Sequence, residues 1–247
     1  MPANCFFLDD PLVAGTRLFL EEEEFHHAKS VMRIQQGEKV QLVNGKGVEA
    51  EGQVESIEKR RISLRVTSAI EHPPKETKLT LAISLLRPAH LDFVIEKGVE
   101  LGVDQFLLFP AHLSERGASD SLFRRLKALS ISALKQSGRM FLPEIVYLDS
   151  LSQALLVAPK PILWADISPQ AQKTEVALAQ QKERKELTIF IGPEGGWSDK
   201  EKKLFNQSGP PIWLHDTILR AETAGMIAAY VGYCWLKRLE IHGHGSA

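Results

Sequence analysis

Short apolar runs punctuate this chain, and the spacing between them changes once. Residues 39–68 alternate apolar and polar positions in short runs, as in Val54, Ser56 beside Ile57, then Ile62, Leu64 and Val66, and Asn44-Gly45 is suited to a hairpin turn. This is antiparallel strand chemistry. Ahead of it, residues 21–32 read as a short helix whose glutamate-rich start suits the positive end of the helix dipole. At Glu71-His72-Pro73-Pro74-Lys75-Glu76 two prolines remove backbone donors and forbid helix, which marks a linker and predicts one domain over 1–72 and another over 73–247. Beyond it, brief apolar runs at 79–86, 106–109, 145–148, 162–165, 187–191 and 212–214 are separated by helix-length segments. That alternation predicts an α/β domain built on a mainly parallel sheet.

The last two runs each lead into a glycine-bearing or charged turn and then a helix. The first turn is Gly192-Pro193-Glu194-Gly195-Gly196-Trp197-Ser198, and Ser198-Asp199-Lys200-Glu201 has capping-box spacing, so the turn delivers straight into a helix. The second is Leu214-His215-Asp216-Thr217-Ile218-Leu219-Arg220-Ala221-Glu222-Thr223-Ala224, which crowds Arg220, Glu222 and Thr223 at a helix start. Two such turns can build one ligand site. The helix that follows, over 221–236, is apolar almost all round, and Ala224, Gly225, Ala228, Ala229 and Gly232 permit close backbone approach. It suits burial within the chain or a contact between two copies equally well.

Bulk properties narrow the classes. A chain of 247 residues with 44% apolar content can hold one large core or two modest ones. Its net charge of −1 argues against nucleic-acid binding through a bulk positive field, so an RNA partner would meet local patches such as Lys59-Arg60-Arg61 or Arg124-Arg125-Lys127. Asp9-Asp10 stands where a signal peptide would be apolar, and the longest apolar stretch, 226–236, falls short of the roughly 20 residues that span a bilayer. A cytoplasmic protein is expected. Cys5 and Cys234 lie far apart with no paired spacing, and the tail His242-Gly243-His244-Gly245 is a poor metal site, so no disulfide and no metal are expected. No Gly-Lys-Ser/Thr follows the glycines and no Gly-x-Gly-x-x-Gly is present, which removes the common nucleotide-fold explanations.

Five ordered segments carry a resemblance. Glu96-Lys97-Gly98-Val99-Glu100-Leu101-Gly102-Val103, Ser114-Glu115-Arg116, Gln136-Ser137-Gly138-Arg139, Gly192-Pro193-Glu194-Gly195-Gly196 with Glu201, and Ile218-Leu219-Arg220-Ala221-Glu222-Thr223-Ala224 together resemble the RsmE-type 16S rRNA (uracil-N3)-methyltransferases of the SPOUT class. The resemblance implies a small N-terminal PUA-like or OB-like β-barrel that binds RNA, a C-terminal SPOUT α/β domain with a trefoil knot, and a homodimer. It implies S-adenosylmethionine as cofactor and 16S rRNA, naked or in the small ribosomal subunit, as partner. Carried over position by position, the donor pocket is Ile191, Gly192, Gly195, Gly196, Leu214, Ile218 and Leu219. Arg33, Arg116 and Arg139 are the implied RNA contacts, with His27 beside Arg33 either a further contact or a satisfied structural histidine, and helix C-capping the rival role for Arg139. Two departures stand out: His215 replaces the family's usual glycine after leucine, and residues 1–7 lack the family's arginines.

Moving a methyl group from a sulfonium to uracil N3 needs a held donor, an in-line nucleophile and loss of the N3 proton. Alignment alone can lower such a barrier by about 7 to 11 kcal/mol. Arg220 is placed to offset negative charge on a uracil oxygen and Glu222 to take the proton, with Glu194 the competing base and an Arg220–Glu222 ion pair the purely structural alternative. A non-catalytic rRNA-binding module, or a SPOUT methyltransferase acting on another RNA nucleotide, would carry much of the same sequence.

Overall fold

The computed structural model describes residues 4–114, 119–181 and 185–243. It divides into two compact units, the first formed by residues 1–74 with 131–142 and the second by residues 75–130 with 143–247.

The first unit holds β1 (Cys5–Phe7), β2 (Arg17–Leu20), α1 (Glu22–His26), β3 (Lys39–Val43), β4 (Val48–Ile57) and β5 (Ile62–Glu71). Its five strands form one sheet in the order β1-β3-β4-β5-β2, antiparallel except where β1 runs parallel to β3. Alternation sends Val54, Ile62, Leu64 and Val66 into a core with Phe6, Leu20, Phe25 and Leu42. The register of β4 on β5 shifts after Glu51 and again after Val54, the kind of irregularity that bends a strand. Asn44 closes the β3–β4 turn, its Oδ1 accepting from the backbone N–H groups of Lys46 (2.9 Å) and Val48 (3.0 Å). Residues 131–142 join this unit through main-chain bonds from Gly47 to Met140 and from Leu142 to Gly45, and through the Lys135–Glu24 ion pair at 2.6 Å.

The helix expected over 21–32 is only half α-helical. After His26 the backbone widens into a π-helical turn, His27–Met32, which ends at Arg33 in the left-handed conformation (φ 53°) with Ile34 N–H bonded to Ala28 O. Side-chain periodicity does not encode which carbonyl each amide selects, so the widening has no signature in the pattern.

The second unit contains β6 (Lys78–Ser84), α2 (Pro88–Glu100), β7 (Gln105–Phe109), α3 (Asp120–Ser137), β8 (Glu144–Tyr147), α4 (Leu151–Val157), β9 (Ile162–Ala165), β10 (Gln172–Lys173), α5 (Thr174–Ala179), β11 (Glu186–Ile191), α6 (Asp199–Phe205), β12 (Pro211–Trp213) and α7 (Ala221–Gly243), the end of α3 falling with the first unit. All seven strands are parallel, in the order β10-β12-β9-β11-β6-β7-β8. Every run that the pattern marked as a strand is one. Strands β6, β7 and β11 are buried along nearly their whole length because helices cover both faces, which is why they read as unbroken apolar runs rather than alternation. Helix α7 packs on α2, β6 and β11, and Gly225 and Gly232 are the close-approach points: a Cβ there would lie 2.8 Å from Val94 and 2.5 Å from Leu79. On the other side of the sheet Trp164 stacks on Phe205 (4.9 Å between centroids), which also meets Trp197 and Phe190 edge-on. Among the described residues no helix is long and apolar enough to cross a membrane.

Candidate active site

In a parallel sheet every strand-to-helix turn emerges at the carboxyl edge, and ligands bind in the crevice there. The two turns singled out above follow β11 and β12, which flank β9 on either side. They meet.

The turn after β11 is shaped by three restraints. Gly192 passes so close to the Trp197 indole that a Cβ would stand 2.9 Å from Cε2, while the indole N–H donates to Ala165 O at 2.8 Å and ties the turn to the end of β9. Gly196 takes φ +74°, a conformation that costs a side-chain-bearing residue about 1 kcal/mol, and its N–H bonds Pro193 O at 2.9 Å. Ser198 then caps α6: its Oγ accepts from the Glu201 N–H and its own N–H donates to Glu201 Oε2 at 2.8 Å, completing the expected capping box. The other Glu201 oxygen accepts the His112 N–H at 2.8 Å, which explains why a carboxylate is buried in this helix.

After β12 the chain forms an open loop to Arg220, whose carbonyl accepts the Ala224 N–H as α7 begins. His215 fits without strain, since it is not among the residues at positive φ. Its Nδ1 accepts from the Thr217 N–H at 3.1 Å and meets the Thr217 hydroxyl at 2.9 Å, so the ring braces the loop.

Between the two turns lies a cavity of about 680 Å³, within the range of small-molecule sites. Ile191, Gly192, Gly195, Gly196, Leu214, Ile218 and Leu219 all line it, as do Arg220 and Glu222. Ile218 is 79% exposed, an apolar side chain left open at the rim. Arg220 and Glu222 do not pair with each other. The Arg220 side chain is exposed and has no partner among the described residues, whereas the Glu222 side chain is 15% exposed and its Oε2 is buried with no hydrogen-bond partner among them. Glu194 is bound instead: it accepts from the Arg87 backbone N–H at 3.4 Å and from His90 Nδ1 at 3.0 Å. Burial acts to raise its pKa, but its own backbone N–H, the His90 ring and the Arg87 amide outweigh that and hold the carboxyl below its usual range.

Sequence reasoning missed three ionisable lining groups. Arg87 and His90 enter from the start of α2, and Asp166 from the end of β9, where both its oxygens lie 3.0 Å from Lys202 Nζ and its side chain is 5% exposed. The signal lies in the strand order and not in the pattern along the chain: each follows a strand that neighbours β11 in a parallel sheet, so each emerges at the same edge.

Of the implied RNA contacts, Arg33 and Arg139 do not line the cavity. Arg33 is exposed in the first unit, with its carbonyl bonded by Gln35 Nε2. Arg139 is half-buried in the same unit, and its backbone N–H, like that of Gly138, bonds the α3 carbonyl of Leu134. Arg116 falls outside the described residues. His27 sits edge-on to Phe6 (5.8 Å), and its buried Nδ1 has no partner among the described residues, so it is not the satisfied histidine expected.

A parallel α/β unit whose carboxyl edge joins two motif turns around one cavity defines a ligand-binding enzyme domain, and sequence comparison assigns its class. The RNA methyltransferase domain family matches residues 73–231, and the RNA methyltransferase PUA domain matches residues 20–67. This chain belongs to the RNA methyltransferase family, an α/β protein with an N-terminal PUA-like domain. The ribosomal RNA small subunit methyltransferase E of Rickettsia conorii is 25% identical over 92% of this chain and 94% of its own length. Its counterpart from Neisseria gonorrhoeae, solved bound to S-adenosyl methionine, has a TM-score of 0.79 at 27% identity, covering 94% of this chain and 96% of that one. A Legionella pneumophila protein solved with SAM as its bound cofactor has a TM-score of 0.85 at 25% identity, over 93% and 96% of the two chains.

Proposed function

We propose that this chain transfers a methyl group from S-adenosylmethionine to N3 of a uridine in 16S rRNA of the small ribosomal subunit. The observation that carries the reading is the convergence of both motif turns on one cavity with the dimensions of a small cofactor, in a chain whose relatives are named for small-subunit rRNA methylation and solved with this donor. Ile191, Gly192, Gly195, Gly196, Leu214, Ile218 and Leu219 would hold the donor, the glycines and adjacent main chain reading its adenine edge and the aliphatic side chains covering its faces. The donor supplies an electrophilic methyl group; the chain supplies alignment and charge. Uracil N3 attacks well only as its proton departs, so Arg220, exposed and unpaired among the described residues, offsets charge on a ring oxygen while Glu222 takes the proton. Glu194, already engaged by three donors, is the poorer base.

The same reading makes residues 1–72 an RNA-binding barrel and 73–247 the catalytic domain, with Arg33, Arg116 and Arg139 meeting phosphates. It makes the protein a cytoplasmic homodimer: α7 buries Ala228, Ala229 and Leu236 inward yet leaves Tyr230, Tyr233 and Cys234 exposed, a face suited to a second copy. It also makes the C-terminal part a trefoil knot. Support comes from the chain path, since β12 lies beyond β9 while α7 returns to pack on β6 and β11.

Nucleoside mass spectrometry of 16S rRNA from a strain lacking the gene tests the function. Complementation with the wild type restores 3-methyluridine, and Arg220→Ala fails to, with turnover reduced about 100- to 1,000-fold while donor binding is kept. Unchanged rRNA nucleosides on deletion contradict the reading.

A further inference from the structure

Three elements of the second unit converge on one imidazole. His90 stands in the first turn of α2, Glu194 in the turn after β11 and Glu222 in the first turn of α7. His90 Nδ1 lies 3.0 Å from Glu194 Oε1 and 3.6 Å from Glu222 Oε2. Two carboxylates face this nitrogen, and Glu194 already accepts from the Arg87 backbone N–H, so Nδ1 carries the hydrogen and donates it. At 3.6 Å Glu222 Oε2 lies beyond hydrogen-bond distance of this nitrogen. That leaves Glu222 Oε2 buried without a hydrogen-bond partner among the described residues, an arrangement that native folds retain rarely and usually for a reason. Of the other charged groups lining the cavity, Asp166 is held by Lys202, Arg87 has an interaction of its own, and Arg220 is unpaired among the described residues.

We propose that His90 is a positioning residue for methyl transfer: its Nδ1–H is anchored on Glu194, and the ring so held stands 3.6 Å from the Oε2 end of Glu222, backing that carboxylate so that the other oxygen is presented to the acceptor base. The proposal rests on the function proposed above, in which Glu222 takes the uracil N3 proton. In that step Oε1 gains the proton and the N3–H electron pair stays on the ring. The N3–methyl bond forms as the sulfur–methyl bond breaks, and the breaking pair remains on sulfur as a neutral thioether. The positive charge of the sulfonium thus leaves as the proton on Glu222, which passes to water. His90 neither gains nor loses a proton; it determines where Glu222 points.

Steady-state methylation of small-subunit rRNA by the full chain tests this. His90→Ala lowers kcat about 10- to 100-fold, the size expected when a reacting group is misplaced by an ångström or so, with KM for S-adenosylmethionine unchanged. His90→Asn, whose amide N–H stands where Nδ1–H was, recovers most of the loss. In a Glu222→Gln background His90→Ala costs nothing further, because a residue that acts through Glu222 has nothing left to position. Calorimetric binding of S-adenosylmethionine by each variant shows that its pocket is formed. A His90→Ala enzyme with wild-type kcat, a loss confined to KM, no recovery with Asn, or an equal loss in the Glu222→Gln background overturns the proposal. An inactive Glu222→Gln beside a fully active His90→Ala overturns it alone, whereas a fully active Glu222→Gln overturns the base assignment as well.

Discussion

Glu194 is pulled in two directions, and the balance has a measurable consequence. Burial disfavours its charge, yet backbone amides and His90 hold its folded pKa below the ordinary 4.5. A depressed folded value contributes stability that is present above the unfolded pKa and lost as pH falls through the folded one. Glu194→Gln should therefore lower the urea midpoint near neutral pH and make no difference once the pH lies below both values; equal midpoints at pH 7 would show that these bonds contribute nothing net. At this scale the sequence was legible where chemistry and spacing coincide. Gly192 and Gly196 were named for the donor pocket, and the structure gives each a local reason to be glycine, the Trp197 ring and a positive φ. His90 and Asp166 were not legible by the same route. Neither sits in a patterned segment, and only knowledge of which strands neighbour β11 brings them to the cavity.

Elements were read better than their edges. The capping box over Ser198 to Glu201 could be seen from four residues because its bonds are local, and Ser198→Ala should cost about 1 kcal/mol in a urea titration with the m-value unchanged. Glu201→Ala should cost more, since it also strips the part-buried His112 N–H of its acceptor; equal losses for the two would mean that the His112 bond is of no account. The six apolar runs beyond the linker all became strands because a strand covered on both faces is apolar throughout. The two-residue β10 escaped notice for the converse reason: Gln172 and Lys173 carry no apolar signal, and pairing with β12 alone makes them a strand. The π-helical turn before Arg33 is likewise a choice of hydrogen-bond partner that side-chain pattern does not record.

At the scale of the whole molecule, strand order and grouping were beyond a one-dimensional reading. Nothing in the pattern places β12 beside β9, or groups residues 131–142 with the first unit rather than with the segments that flank them in sequence. Those are long-range contacts, settled by which faces meet, and the proposed knot is a property of the same kind. Function was legible sooner than topology because the two turns that carry it keep their motif residues together in sequence as well as in space. Whether the cavity they enclose receives the methyl donor is therefore the decisive question, and titration calorimetry of the full chain with S-adenosylmethionine answers it most directly. Saturable binding with one site per chain is the expected result; folded protein that gives no binding heat at any temperature tried, and no protection of its thermal transition by the same compound, would contradict it.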